Sequence, residues 1–270
     1  MEQTKINHSP LITAIENFVE DTLKCQRPWD DYWSELVDLL SELQEQYNSD
    51  LIYSAYNQAM IELMLELEKD VRAFQYIDNS ILEKLRFRDV KSRFQKFQGQ
   101  HDREIQCFKE DELKNRCKAM EYTELLLEHH SKLAVIRVDL SYRQNKRRFI
   151  DISDFRQDIR KLLDRLQDRD RHFNDLQGYM YALEQGTEKG YHAHFLLFYD
   201  GSRVKFDRHI ADCIIDTWKE ITEETGQGYN CNTKQNRRSY IERGNDALGP
   251  LTRGDDAKRA NVLKIVRYFT

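Results

Sequence analysis

Apolar positions in the first 130 residues recur at intervals of three and four, which places them on one side of a helix. Ser9 before Pro10 reads as a helix start, with Ser at the cap and Pro in the first turn. Leu11, Ile15, Phe18 and Leu23 continue that stripe. The same spacing predicts helices over about 30–46, 49–75 and 79–98, and a long one over about 102–129. The third carries Leu51, Tyr53, Met60, Leu63, Leu65 and Val71, enough apolar surface to pack against its neighbours. Gly99 is the only glycine in this half, so few residues break helices, and a helical bundle is expected. Arg86, Arg88, Lys91, Arg93 and Lys96 interleave with Phe87, Phe94 and Phe97. An amphipathic helix with buried aromatics explains that pattern better than a DNA-contacting helix with stacked rings.

Near residue 131 the period drops to two. Ala134, Ile136, Val138 and Leu140 fall on one face of a strand, and Arg137 and Asp139 on the other. A basic loop follows with Arg143, Lys146, Arg147 and Arg148, and then a helix capped by Ser153 that runs to about 170 with Phe155, Ile159, Leu162, Leu163 and Leu166 inward. Residues 177–199 read as a hairpin ended by Asp200-Gly201. A second amphipathic helix over about 207–224 carries Ile210, Ile214, Trp218 and Ile221. Tyr229–Thr233 and Ser239–Glu242 read as short strands, and a last helix begins near Asp255. The predicted class is α+β. An all-helical region (residues 1–130) precedes a ferredoxin-like β-α-β-β-α-β-α domain (residues 131–270), whose antiparallel sheet has helices on one face. The other face is expected to keep Arg137, Asp139, Glu184, His192 and His194.

Charge sharpens the division. Residues 1–130 hold 16 Lys and Arg against 26 Asp and Glu, whereas residues 131–270 hold 26 against 21. The net charge of −5 therefore conceals a basic second half able to hold phosphates. Cys25, Cys107, Cys117, Cys213 and Cys231 are odd in number and scattered, as expected of reduced thiols in the cytoplasm. No run is long and apolar enough for a membrane span, no secretory leader is visible, and no GxxxxGK[ST] loop supports an attached ATPase.

The chemistry concentrates in the hairpin. His192 and His194 are two apart on a strand and point the same way, and folding the hairpin brings Glu184 beside His192. Two imidazoles and a carboxylate on one face make an open site for a divalent cation. Glu188 competes for the third position, but falls within the turn.

The wording Glu184-Gln-Gly…Gly190-Tyr-His-Ala-His194, followed by an apolar strand, resembles the His-hydrophobic-His motif of the HUH endonucleases, the rolling-circle replication initiators and relaxases. It is most similar to the inovirus gene-2-protein type, the YagK/YfjJ C-terminal domain family. Ala193 is a small occupant of the central hydrophobic position. The resemblance covers about 131–270 and leaves the helical first half unassigned.

The resemblance implies Mg²⁺ or Mn²⁺ held by His192, His194 and Glu184, and a tyrosine that attacks the DNA backbone, keeps the 5′ phosphate and frees a 3′ hydroxyl. Tyr268, on the final helix, is the expected nucleophile, with Tyr240 in Arg237-Arg238-Ser239-Tyr240 as its rival. The family's Tyr-x-x-Lys setting would put a lysine one residue past Thr270, so the natural chain is expected to continue. Lys264, one turn back on the same face, is a partial substitute. Arg143, Lys146, Arg147, Arg148, Arg237 and Arg238 are the candidate DNA contacts. Single-stranded or hairpin origin DNA is the implied substrate, with replication of a phage or mobile element in the cytoplasm of a bacterial host as the setting. The acidic helices are expected to meet host replication proteins. Two other readings stay open: a non-cleaving origin-binding protein on the same scaffold, and a metal phosphodiesterase with a water nucleophile.

Overall fold

A computed structural model describes residues 6–70, 85–186 and 190–269. Val71, the first residues of the helix predicted at 79–98, and Glu188 lie outside them. Two compact units emerge, His8–Glu110 and the segment from Asp111 onward with Asn7. The division falls inside a helix, where the sequence pattern had suggested a boundary at 130/131.

In the first unit, α1 (Ser9–Lys24), α2 (Tyr32–Gln46), α3 (Ala55–Asp70) and the start of α4 (Phe87–His129) enclose one apolar core. Tyr32 is its centre, with the rings of Phe18, Trp29, Trp33 and Phe87 at centroid distances of 4.7–5.1 Å. His8 rather than Ser9 occupies the cap of α1, and Ser9 and Pro10 are its first helical residues. α3 begins after Leu51 and Tyr53, not at 49.

α4 runs unbroken for 43 residues through Gly99, where the sequence suggested two helices. One interior glycine costs a helix about 1 kcal/mol relative to alanine. That is too little to end a helix flanked by Gln95, Lys96, Gln98 and Gln100 and anchored by the fully buried Val90 and Phe94. Its basic–aromatic stretch is amphipathic. Phe94 is buried, Lys91 donates to the Cys25 carbonyl, and Arg93 pairs with Glu66 at 2.6 Å.

The second unit is built on a five-stranded antiparallel sheet. Its elements are β1 (Lys132–Tyr142), α5 (Ile152–Gln167), β2 (Leu176–Gly186), β3 (Gly190–Asp200), α6 (Asp207–Ile221), β4 (Gly226–Asn230), α7 (Lys234–Glu242), β5 (Gly249–Thr252) and α8 (Asp256–Tyr268). The strand order is β2-β3-β1-β4, and β5 pairs with the first residues of β1, along the same edge as β4. Asp151, not Ser153, caps α5 by accepting from the Asp154 amide at 2.8 Å. Residues 239–242 are helical rather than a strand, because Thr233 caps α7 through the Asn236 amide.

β4 ends at Asn230, short of the predicted 233, and the side chain of Asn232 takes over the ladder. Its Oδ1 accepts from the Arg137 amide at 2.9 Å, and its Nδ2 donates to the Val135 carbonyl at 2.9 Å and to Asp207 at 2.7 Å. Asn232 thereby fills the gap between β4 and β5 along β1. It is 3% exposed, so Asn232→Ala leaves two buried backbone groups unpaired. The expected loss is about 2–6 kcal/mol, at about 1–3 per orphaned group, read by chemical denaturation.

Both faces of the sheet are covered, which corrects the expectation of helices on one face. α5 and α6 bury Ala134, Ile136, Val138 and Leu140 on one side. On the other, Leu126 and Leu127 of α4 and Val262 and Val266 of α8 pack on Leu133, Val135, Leu196 and Phe198. The polar residues occupy the end of this second face that the helices leave open. No described helix is long and apolar enough to cross a membrane, and all five cysteines are free.

Candidate metal centre

Strand alternation sends Ala193 and Phe195 into the α5–α6 core and turns His192 and His194 to the opposite face. The β2–β3 register sets Glu184 directly across from His192, as the hairpin predicted. On the other flank of β3, Asp139 of β1 lies directly across from His194.

Each imidazole is held by its Nδ1. His192 Nδ1 donates to the Gly190 carbonyl at 3.1 Å, and His194 Nδ1 donates to Asp139 Oδ1 at 2.7 Å. Both Nε2 atoms therefore face Glu184, whose oxygens lie 3.0 Å from His192 and 3.4 Å from His194. The three ligand atoms lie within 4.8 Å of one another. The rings stand at 90° with centroids 5.2 Å apart, so the two lone pairs converge without the rings stacking.

Asp139 is the residue whose role the sequence did not reveal. Arg137 grips it through Nε at 3.0 Å and Nη2 at 3.3 Å. Burial alone would raise the Asp139 carboxyl, but hydrogen bonds from His194 and Arg137 outweigh it and hold it below the usual range. The same bond, aided by Glu184, raises His194 above an ordinary histidine. Burial pushes the nearby Cys231 thiol up to about 12, and the ligand cluster of Glu184, His192 and His194 does not include it.

This donor set fits a divalent cation: two imidazole nitrogens of fixed tautomer, one carboxylate, and a second carboxylate orienting a ligand from behind. His192, His194 and Glu184 would hold it.

The end of α8 overlies the same place. Phe269 is buried, with its ring 6.1 Å from that of His194, and the Arg137 guanidinium lies 5.1 Å from the Phe269 ring and 6.0 Å from the Tyr268 ring. Tyr268 itself is 70% exposed. Lys264 is exposed one turn back and donates to Asn261. Tyr240, on α7, lines a recess of about 200 Å³ that also touches Arg137 and Asp139.

The predicted basic contacts separate. Arg147 lines a groove of about 570 Å³ together with His192, His194 and Asp139. Lys146 is exposed, Arg143 pairs with Glu224 at 3.3 Å, and Arg148 lies over the Phe149 ring. Arg238 pairs along its own helix with Glu242. Arg237 is turned inward, bidentate to Asp246 and 3.5 Å from Asp207, with 16% of its side chain exposed. It is thereby committed to holding α7 and the loop before β5 together.

Residues 95–263 match the YagK/YfjJ C-terminal domain family. The chain belongs to that family. No curated protein and no solved structure matches it. The family segment takes in the second part of α4, every strand, the three candidate ligands, Asp139 and Tyr240. Tyr268 lies five residues beyond it.

Proposed function

We propose that this protein is a metal-dependent single-stranded DNA endonuclease and strand transferase of the HUH type, on a ferredoxin-like sheet, akin to rolling-circle initiators and inovirus gene-2 proteins. Acting in a bacterial cytoplasm, it would open replication of a phage or mobile element. One observation carries the reading: both histidines commit Nδ1 to a neighbour and present Nε2 to a shared carboxylate.

Mg²⁺ or Mn²⁺, when bound, supplies a Lewis acid that draws charge from a phosphodiester oxygen. The remaining steps belong to the chain's own side chains. Arg147 pairs with backbone phosphate at the groove. The Tyr268 hydroxyl oxygen attacks phosphorus and gives its proton to water, with the Lys264 cation favouring the phenolate as it forms. As the new P–O bond forms, the bond from phosphorus to the 3′ oxygen breaks, and that oxygen leaves as a hydroxyl after taking up a proton. The product is a 5′ phosphotyrosine and a free 3′ end able to prime synthesis. The acidic helical unit suits a protein partner better than DNA.

The test is incubation with a circular single-stranded DNA bearing hairpins, with Mn²⁺ or with EDTA. A covalent protein–DNA adduct that needs Mn²⁺ is the expected product. Cleavage without an adduct would favour a water nucleophile, and binding without cleavage a recognition protein.

Asp139 has a separate expected effect. Asp139→Asn keeps the size of the side chain but weakens the hold on His194 Nδ1–H. Losses of this kind typically cost 10–100-fold in metal affinity. Calorimetric titration with Mn²⁺ should show that drop, and unchanged affinity would remove Asp139 from the metal centre.

A further inference from the structure

Beyond the metal centre, the groove beside it has an aromatic wall that the proposed chemistry does not use. In the sheet register, Asp139 is flanked by His194 of β3 on one side and Tyr229 of β4 on the other. The three residues form a row across adjacent strands on one face, so Tyr229 stands about 10 Å from His194, two strand spacings away. Tyr229 is 54% exposed although it is paired within the sheet, whose other aromatic residues are buried or half-buried apart from Tyr181.

Two features fix it there. Gly228 faces the opposite side, where an added Cβ would come within 2.6 Å of Ile215, so α6 presses closely on β4. Gln227, two residues before Tyr229 and on the same face, donates to the Ser141 hydroxyl at 3.2 Å and bridges β4 to β1. Among the described residues no hydrogen bond holds the Tyr229 hydroxyl. The strand that carries Tyr229 is therefore held firmly, while the residue itself stays more than half exposed.

Tyr229 also forms part of the wall shared by both recesses. It borders the groove of about 570 Å³ with His192, His194 and Arg147, and the recess of about 200 Å³ with Tyr240 and Asn245. The smaller space would hold about six or seven waters, room for one heteroaromatic ring and not for a whole nucleotide. An exposed ring next to a phosphate-binding cation and a metal centre is the arrangement by which proteins grip an unpaired strand, stacking bases while cations track the backbone.

We infer that Tyr229 is the stacking platform for one unpaired nucleobase of the bound strand, adjacent to the phosphate at the metal centre. Gln227 offers the remaining groups of its amide to the edge of that base. Tyr229 is a positioning residue: it sets which phosphate reaches the metal, and takes no part in bond making. The inference rests on the nuclease reading.

The test uses the full chain, EDTA to prevent cleavage, and a single-stranded hairpin oligonucleotide carrying 2-aminopurine at successive positions. Tyr229→Phe keeps the ring, and Tyr229→Leu keeps apolar bulk in the strand without it. Wild type and Tyr229→Phe should share a fluorescence change at one position. Tyr229→Leu should lose it and bind about 5- to 150-fold more weakly, as expected for one lost base stack. Equal binding by all three, with the same fluorescence pattern, overturns the inference and leaves the nuclease reading intact. A wild-type protein that binds no single-stranded DNA overturns both.

Discussion

Alanine in place of His194 is expected to slow Mn²⁺-dependent strand cleavage by on the order of a thousandfold, while single-stranded DNA binding changes little. A Lewis acid at phosphorus is worth several kcal/mol of transition-state stabilisation, and each 1.4 kcal/mol is a tenfold rate. Removing one of three protein ligands forfeits most of that. The strand itself is held by cations such as Arg147 and by stacking, which do not pass through the histidines. His192→Ala should give the same loss of cleavage, but the two variants should differ in stability. His192 meets a main-chain carbonyl and the exposed Glu184, whereas His194 satisfies the partly buried Asp139 carboxylate, which Arg137 alone would then have to balance. His194→Ala should therefore melt lower than His192→Ala. Single-turnover cleavage, filter binding and thermal unfolding read the three effects. Cleavage at the wild-type rate by either variant would remove the hairpin from the active centre.

The hairpin was legible because a period of two leaves no freedom. Once β2 and β3 are strands joined by a short turn, Glu184 and His192 must meet on one face. The covering of that face had a signal too, in Leu133 and Val135. These make Leu133–Val138 an almost continuous apolar run, the mark of a strand buried on both sides. Reading only the alternate positions Ala134, Ile136, Val138 and Leu140 left the second face open, when α4 and α8 close most of it.

Other features had no local signal. The Asp139–His194 bond joins residues 55 apart in the chain, and only the β1–β3 register pairs them. Asn232 replaces a strand with one side chain, which no periodicity reports. Ser239–Glu242 carries β-forming Tyr240 and Ile241, yet it follows a Thr cap and lies in a segment already committed to helix, so the cap outweighed the propensity of two residues. Arg237 and Arg238 look alike in sequence. One is turned into an ion-pair cluster and the other is 80% exposed at its side chain.

The second large effect concerns the nucleophile. Tyr268→Phe should abolish the covalent adduct outright while leaving folding and DNA binding unchanged. Phenylalanine keeps the ring beside the Arg137 guanidinium and removes only the oxygen that would bond to phosphorus. Tyr268 has three points in its favour. It is exposed and free to meet a backbone phosphate. Its neighbour Phe269 is fixed beside His194. Lys264 is one turn away on the same face, as a cation that favours the phenolate of a side chain otherwise protonated at neutral pH. Tyr240 is the serious rival, because it is also exposed, shares a recess with Asp139, and falls inside the family segment while Tyr268 falls outside it. Tyr240→Phe should therefore be assayed in parallel, on denaturing gels with end-labelled DNA. Loss of the adduct in Tyr268→Phe alone assigns the nucleophile to α8, and loss in Tyr240→Phe alone transfers it to α7. An adduct that survives both substitutions would exclude both tyrosines and require peptide mapping of the DNA-linked residue.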